Sequence, residues 1–237
     1  MRLTTRERVD AYWSSTLGLD VADLHIPGTR VRPHGPDRAT WRGVYVLSLD
    51  KATCVSAPAD LLDRVAPVTE LDAESALEPD TWHRLLGAAV SATFGPVVHH
   101  YRDDREGLDV VAGRRLNPRD ADALAGLHGA ISSDEWAAAG FTSQPAMLFG
   151  LFEGDRIVAA ANLNAGPDAA TDIGIVVHPD ARGHGYGLAI TATAARQALL
   201  MHGVARFRAL ASSESSRAIA EELGFSEYGR NLAVYLA

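Results

Sequence analysis

The sequence predicts an α/β protein of the α+β type, and three observations support this fold class. A short apolar, β-branched run at 173–177 precedes a glycine-rich turn and an Ala- and Leu-rich segment that ends at Gly203, which is the pattern of strand, loop and helix. The apolar runs 147–152 and 157–163 are joined by Glu-Gly-Asp-Arg and predict an antiparallel hairpin. From residue 108 onward, strand and helix patterns alternate. We therefore expect sheets covered by helices.

The most polar stretch of the chain, 102–107, is the best candidate for a domain boundary. We predict a smaller N-terminal α/β domain at 1–105 and a second domain at 106–237. No internal repeat or low-complexity tract is visible in the sequence. Two interpretations of the first domain stay open, namely a degenerate copy of the second domain and a cap over the active site.

The first domain contains signals for helices and for a hairpin. Thr4-Thr5-Arg6-Glu7 has the form of a capping box and predicts an opening helix. Asp50-Lys51 separates two apolar runs and predicts a hairpin turn. Asp80 is expected to cap a helix that ends by Gly87. The sequence Phe94-Gly95-Pro96 predicts a break before a strand at 97–101.

The second domain begins with a predicted strand at 109–116. Asn117-Pro118 predicts a helix start with proline at its first position, and a second helix is expected to start at Ser132. After the loop and the long helix, an alternating strand is expected at 204–211, followed by a helix that Ser213 caps.

Composition limits the class of protein. With 237 residues, 47% of them hydrophobic, the chain can fill one large core or two modest ones. The formal net charge of −8 argues against nucleic-acid binding and fits a cationic amine substrate. No apolar run is long enough to span a membrane, and the N-terminus lacks a signal peptide's apolar core. A single cysteine, Cys54, fits a reducing, cytoplasmic compartment.

No metal site is expected from the histidines. His99 and His100 are adjacent in a strand-like run, so their side chains should point to opposite faces.

The loop Arg182-Gly183-His184-Gly185-Tyr186-Gly187 is the strongest functional signal. It places three glycines at a helix N-terminus, where unpaired N–H groups and the positive end of the helix dipole favour an anion such as phosphate. A structural turn whose glycines only relieve strain is the alternative. The spacing does not match Gly-x-Gly-x-x-Gly, because Leu188 occupies the last position, and the absence of a nearby lysine excludes a P-loop.

The loop and its flanks resemble the acyl-CoA pyrophosphate loop of the GNAT superfamily of N-acetyltransferases. The match is Arg-x-x-Gly-x-Gly within Val-Val-His-Pro-Asp-Ala-Arg-Gly-His-Gly-Tyr-Gly-Leu, and the order of elements over 108–237 also agrees. The resemblance implies a mixed, mainly antiparallel central sheet and acetyl-CoA as cosubstrate. It implies that the pantetheine arm pairs with the backbone of Ile175, Val176 and Val177. It further implies that the pyrophosphate is held by the N–H groups of Arg182, Gly183, His184, Gly185, Tyr186, Gly187 and Leu188.

A second segment matches the family less well. Ser213 replaces the asparagine that commonly contacts the cofactor, and its hydroxyl can still donate one hydrogen bond to pantetheine. Ser216 and Arg217 match the family and are also expected to touch the cofactor. Ser216 and Arg217 could equally serve as helix cap and surface charge. Many family members have a tyrosine seven residues after that asparagine as the acid for the departing thiolate, but in this chain the residue is Ala220.

Transfer to an amine needs a base, because a lysine-like ammonium has a pKa of roughly 10.4 and is not nucleophilic while charged. Glu135 is the first candidate, since the family's second helix borders the acceptor cleft, and Asp172 is a weaker one. Asp134 and Glu153 are further alternatives, as is a water chain. The expected reaction is direct attack of the amine on the thioester, with a backbone N–H of the central strand stabilising the oxyanion.

Three functions follow from these features. The leading hypothesis is an N-acetyltransferase acting on a primary amine of a small molecule or peptide. The alternative, motivated by Ser213 and Ala220, is a non-catalytic acyl-CoA-binding regulatory module. A third is an interaction scaffold built on residues 1–105. A homodimer and a monomer are both open.

Overall fold

The computed structural model describes residues 1–108, 112–141, 147–164 and 171–237. The described chain forms two compact units. The N-unit comprises Leu3–His99, Ala209–Glu214 and Glu227–Ala237, and the C-unit comprises Met1–Arg2, His100–Arg208 and Ser215–Ser226. These units differ from the predicted ranges 1–105 and 106–237, because the last strand of the chain pairs with a strand of the first half. The ranges themselves remain a domain prediction.

Helices and strands occur in both units and are numbered in chain order. The helices are α1 (Leu3–Leu17), α2 (Val21–Leu24), α3 (Leu62–Val65), α4 (Ala73–Leu77), α5 (Pro79–Leu86), α6 (Ala121–Ala130), α7 (Ser133–Ala138), α8 (Tyr186–His202) and α9 (Glu214–Glu222). The strands are β1 (Gly28–Pro33), β2 (Gly43–Leu49), β3 (Ala52–Ala57), β4 (Val90–Arg102), β5 (Arg114–Arg115), β6 (Met147–Glu153), β7 (Arg156–Asn164), β8 (Thr171–Val177), β9 (Ala205–Leu210) and β10 (Ser226–Leu236). Among the described residues, no helix combines the length and hydropathy needed to cross a membrane.

The N-unit is a sheet in the order β1-β3-β2-β10-β4, and it also contains the 15-residue helix α1 and four shorter helices, α2 to α5. Strands β1 and β3 are parallel, whereas β2 is antiparallel to both β3 and β10. The predicted hairpin is confirmed, since Leu49 pairs with Ala52 across the Asp50-Lys51 turn. The core of the N-unit contains Val46, Val55, Trp82 and Leu232.

Two local predictions for the N-unit are wrong. Strand β4 does not start after Pro96 but runs through it from Val90, and the Pro96 carbonyl still accepts a hydrogen bond from the Ala211 N–H at 2.8 Å. Helix α5 starts at Pro79, with Glu78 as N-cap, so Asp80 lies in the first turn. Proline suits that first position because the missing N–H would have no helical partner there.

The C-unit is a sheet in the order β9-β8-β7-β6-β5. Three of its pairings are antiparallel, and β8 is parallel to β9. Together with the N-unit pairings, this confirms the predicted mixed, mainly antiparallel arrangement. The hairpin β6–β7 is confirmed, with Glu153 opposite Arg156. Of the strand predicted at 109–116, residues 109–111 lie outside the described residues, and β5 covers only two of the others.

The helices of the C-unit cover both faces of its sheet. Helices α8 and α9 pack on one face through a cluster that includes Ile173, Ile190 and Phe207. Helices α6 and α7 pack on the other through Leu127 and Trp136. Both predicted helix starts are confirmed. The Asn117 side chain caps a 3-10 turn that leads into α6, and the Ser132 side chain caps α7.

Candidate active site

Strand β8 divides its side chains between two faces and its backbone groups between two edges. Ile175 and Val177 pack with the cluster under α8, whereas Val176 packs with the cluster under α7. The His178 N–H donates to the Val158 carbonyl of β7 at 2.8 Å. Because backbone groups alternate along a strand, those of Val176 also face β7, and those of Ile175 and Val177 face the opposite edge.

The opposite edge of β8 pairs with β9 over only part of its length. The parallel register reaches as far as Ile173↔Phe207. Beyond that point, in the part of the chain that the structure describes, no strand pairs with the backbone of Ile175 and Val177. Of the three residues predicted to pair with a pantetheine arm, Ile175 and Val177 present their backbone groups to this open edge, whereas the backbone of Val176 pairs with β7.

The glycine loop, which we define as residues 182–187, leads from β8 into α8. Gly183 and Gly185 have φ angles of 78° and 79°, a left-handed conformation that side chains with a Cβ adopt only at a cost. An ideal Cβ at either position would meet no atom within 4 Å. Backbone conformation, and not lack of space, therefore requires glycine at these two positions.

The N–H groups of this region form an anion-binding arrangement. The Arg182 N–H already donates to the Pro179 carbonyl at 3.3 Å, so it is not an available donor. Among the described residues, no acceptor is seen for the N–H groups from Gly183 to Leu188. Unpaired donors at a helix start attract anions, and the helix dipole adds to the attraction. All the predicted pyrophosphate donors except Arg182 are therefore available.

Gly187 allows the first turn of α8 to approach the sheet closely. A Cβ on Gly187 would lie 3.1 Å from Cδ1 of Ile219 and 3.5 Å from Cγ2 of Val177. The third glycine of the loop therefore serves packing, which keeps the helix N-terminus next to the open edge of β8.

Arg182 and Glu135 form an ion pair beside the loop. The Arg182 Nη2 lies 2.9 Å from Oε1 and 2.8 Å from Oε2 of Glu135. The side chains are 51% and 40% exposed. The predicted general base is thus bound to the arginine of the predicted cofactor loop.

A second carboxylate contacts the loop from the β6–β7 turn. The Tyr186 hydroxyl donates a hydrogen bond to Oε1 of Glu153. That bond lowers the pKa of Glu153 and raises the pKa of Tyr186. The His184 ring stacks near Tyr186, with centroids 6.0 Å apart. This pairing was not predictable from the sequence, because no spacing rule connects a hairpin turn to a helix start.

The second predicted cofactor segment lies at the start of α9. Ser213 precedes the helix, and its N–H donates to the Leu210 carbonyl at 2.9 Å. Ser216 is half-buried and Arg217 is exposed on the helix. Ala220 is fully buried in the core of the C-unit. A methyl group in this core offers no proton, so Ala220 cannot act as an acid.

Asp172 lies in a buried ion cluster. Its carboxylate contacts Nε and Nη2 of Arg206, the latter at 2.7 Å. The Nε of Arg208 lies 3.1 Å from its Oδ2. Both carboxylate oxygens are occupied by guanidinium groups from β9, which favours a role in joining β8 to β9 over a role as base.

A buried amide network was missed in the sequence. The fully buried Asn162 donates to the Ala139 carbonyl at 2.9 Å, and its Oδ1 accepts from the Gly174 N–H at 3.1 Å. A Cβ on Gly174 would lie 1.8 Å from the Ala139 oxygen. The signal was available, because a lone amide in the apolar run 157–163 must find hydrogen-bond partners once buried.

A cavity of about 700 Å³ is lined by Arg114, Asp120, Phe152 and Asp155, among others. It opens at the start of α6 and the β6–β7 turn.

Within the described ranges, no group of three or more His, Cys, Asp or Glu residues could hold a metal ion. His99 is buried, with Nε2 2.6 Å from Oδ1 of Asn231.

Comparisons with known proteins agree with the geometry of the C-unit. Residues 115–225 match the family model described as Acetyltransferase (GNAT) family. No curated protein matches the sequence significantly. A GNAT-family acetyltransferase from Colwellia psychrerythraea has a TM-score of 0.50 at 12% identity, covering 66% of this chain and 61% of that one. A protein described as a putative acetyltransferase of the GNAT family from Novosphingobium aromaticivorans has a TM-score of 0.50 at 18% identity, covering 62% and 67%.

The chain spans about three-fifths of the length of the first of these structures, and at such low identity the two likenesses establish the fold alone. The family match covers the hairpin, the open edge of β8, the glycine loop and α9, which are the parts that form the candidate site. The segment from residue 115 to residue 225 is therefore a domain of the GNAT acetyltransferase family.

Proposed function

We propose that the protein is an N-acetyltransferase that moves an acetyl group from acetyl-CoA to a primary amine of a small molecule or peptide by direct attack. The observation that carries this proposal is the open edge of β8 leading to the unpaired N–H groups of the glycine loop. Acetyl-CoA would supply an acyl group activated as a thioester. The N–H groups from Gly183 to Leu188 would hold its pyrophosphate. The Ile175 carbonyl and the Val177 N–H, which face the open edge, would pair with the pantetheine arm.

The oxyanion donor can be assigned from the same geometry. The Gly174 N–H is bound to Asn162. The next residue, Ile175, is the first beyond the β8–β9 register whose backbone faces the open edge. We assign the Ile175 N–H to the oxyanion, because a fixed donor aimed at developing charge stabilises the transition state.

The proton of the attacking ammonium needs an acceptor. Asp172 is bound by two arginines and Glu135 by one. The oxygens of both carboxylates therefore already contact guanidinium groups, which disfavours either as the proton acceptor. A water relay is the proton path that these contacts favour. The amine nitrogen then bonds to the acyl carbon while the carbonyl π electrons move to oxygen, and the tetrahedral oxyanion collapses by breaking the carbon–sulfur bond, so that the sulfur leaves as thiolate. A thiol pKa of roughly 8.5 makes that departure feasible without a tyrosine at position 220.

The proposal includes a cationic acceptor in a reducing, cytoplasmic setting. The net charge of −8 favours a positively charged amine over a nucleic acid. Cys54 is buried, and burial raises the pKa of its thiol to about 12, so it does not serve as a nucleophile. We further propose a homodimer, which sedimentation analysis would distinguish from a monomer.

The alternative is a non-catalytic acyl-CoA-binding module, which the buried Ala220 favours. One experiment separates the two functions. Release of CoA is measured with a panel of primary amines, and the thermal shift with acetyl-CoA is measured in parallel. Turnover on any amine supports the enzyme. A shift without turnover supports the binding module, and the absence of any shift contradicts both.

A further inference from the structure

The Arg182 guanidinium is held on one side and open on the other. Its Nη2 contacts both carboxylate oxygens of Glu135, and its Nε donates to the Val177 carbonyl at 3.4 Å. Among the described residues, no partner of Nη1 is seen. The two N–H groups of Nη1 are therefore available to an anion at the glycine loop.

Glu135 presents its carboxylate from a firmly anchored helix end. Its N–H donates to the Ser132 Oγ at 3.2 Å. The next residue, Trp136, is buried and stacks with His128 at 4.3 Å and packs against Phe141 at 4.5 Å between ring centroids. The backbone of Glu135 is thus fixed by a cap on one side and an aromatic anchor on the other, so the position of Arg182 is set by α7.

The position of this ion pair is unfavourable for a general base. The guanidinium contacts the Val177 end of β8, whereas the proposed oxyanion donor is Ile175 and the strand separation begins beyond Ile173. At about 3.3 Å per residue, Val177 lies roughly 7 Å along the strand from Ile175. Glu135 is therefore beside the phosphate end of the site and not beside the acyl end.

We propose that Glu135 is a positioning residue that holds Arg182 in place for the pyrophosphate of CoA, and so sets the affinity for the cofactor without accepting the substrate proton. This inference rests on the proposed function. A free arginine has many side-chain conformations, and ordering it on binding reduces affinity. Because the contacts with Glu135 and Val177 already order the guanidinium, Nη1 can donate to phosphate oxygens at little further cost.

The test compares wild type with Glu135→Gln. We expect Glu135→Gln to weaken acetyl-CoA binding about five- to tenfold by calorimetry, because a neutral amide holds the guanidinium poorly. The kcat at saturating acetyl-CoA and the pH–rate profile should be unchanged. S-acetylpantetheine, which lacks the pyrophosphate, should bind both proteins equally. The double variant Glu135→Gln/Arg182→Gln should bind no more weakly than Arg182→Gln alone.

A matched control removes one negative charge near the loop without touching Arg182. The side chain of Asp180 is 80% exposed, and Asp180→Asn should leave the affinity for acetyl-CoA within about twofold of wild type. Circular dichroism of each variant verifies folding, and Arg182→Lys provides a second test that keeps the charge but loses the fork geometry.

Three outcomes would overturn the inference. Loss of the rising limb of the pH–rate profile in Glu135→Gln would make Glu135 the base. Tighter acetyl-CoA binding would make it a competitor of the pyrophosphate, and unchanged binding would leave it no positioning role. If wild type itself fails to bind acetyl-CoA, the proposed function fails and this inference fails with it. If wild type binds acetyl-CoA and one of the three outcomes above is found, only this inference fails.

Discussion

Asp172 and Glu135 are both carboxylates paired with arginine, and the difference between them lies in burial. The side chain of Asp172 is 12% exposed and that of its partner Arg206 only 9%. Glu135 and Arg182 are about half exposed. The first pair joins two strands inside the C-unit, whereas the second links a helix end to a loop at the surface.

The two arginine–carboxylate pairs therefore lead to different expectations: the buried one for stability and, under our proposal, the exposed one for cofactor binding. Removing one partner of a buried pair leaves an uncompensated charge, which strongly destabilises the fold. An exposed pair contributes little to stability, because water screens it and the long side chains lose entropy. An exposed pair can instead matter for binding, because it fixes the position of the arginine N–H groups that the carboxylate does not bind. For Arg182, those N–H groups lie at the glycine loop.

The buried pair should show the greatest change, and the change is in stability. Asp172→Ala leaves Arg206 without its carboxylate partner. We therefore expect a loss of about 3–5 kcal/mol in the free energy of unfolding, measured by urea denaturation. Arg208→Ala is the control. Arg208 is 39% exposed, so its loss should cost less than about 1 kcal/mol. A similar cost for both variants would remove the distinction between buried and exposed pairs.

The exposed pair should show the opposite pattern. Arg182→Gln should change the free energy of unfolding by less than about 1 kcal/mol. Its acetyl-CoA Kd should rise about tenfold, equivalent to roughly 1.4 kcal/mol, because a charge-assisted hydrogen bond is lost. Denaturation and calorimetry on the same preparation measure the two quantities. A large loss of stability with unchanged Kd would place Arg182 with the buried pair.

A third pair, Arg114 with Asp120, tests how an exposed arginine acts on a carboxylate through hydrogen bonds. Hydrogen bonds from the Arg114 side chain, at 2.6 and 2.9 Å, and from the Asn117 N–H lower the pKa of Asp120 to about 2. Because this pKa is depressed in the folded state, the associated stability is present above roughly pH 4 and is lost as the pH falls towards 2.

Carboxyl NMR titration checks the Asp120 prediction. In Arg114→Gln, the pKa of Asp120 should rise towards its ordinary value of 3.8, while the Asn117 N–H continues to hold it somewhat lower. An Asp120 pKa that does not change in this variant would show that the arginine does not set it.

The weakest response is expected at Glu153, which contacts a hydroxyl and not a cation as its main partner. The Tyr186 hydrogen bond lowers the pKa of Glu153, so Tyr186→Phe should raise it again in the same kind of titration. The stability linked to this carboxylate is present above roughly pH 4.3 and declines as the pH falls through the lowered value. An unchanged Glu153 pKa would mean that Arg156 and not Tyr186 controls it.

The glycine loop was predictable because the residues that determine its conformation are consecutive in the sequence. Gly183 and Gly185 require positive φ angles, and α8 begins where the residue pattern changes from loop to helix. The same local rules located the Ser132 cap and the β6–β7 turn. They failed at Pro96, because proline normally interrupts a strand. Here β4 continues through Pro96, whose carbonyl accepts a hydrogen bond from the N–H of the distant Ala211.

The roles of the carboxylates were not predictable in this way. The sequence placed Glu135 near a cleft, but its partner Arg182 is 47 positions away. Glu153 and Tyr186 are 33 positions apart, and Asp172 and Arg206 are 34 apart. No periodicity connects such residues, because their contacts depend on how strands and helices pack.

The fold class, the glycine loop and the family of the C-terminal half followed from the sequence alone, since each depends on backbone preferences and periodicity within a few consecutive residues. Tertiary packing was needed to establish that the backbone of Val176 faces β7, that the Arg182 N–H is already paired, and which arginine each carboxylate binds. The physical reason is that hydrogen-bond and ion-pair partners are chosen by proximity in space, which packing of distant segments creates.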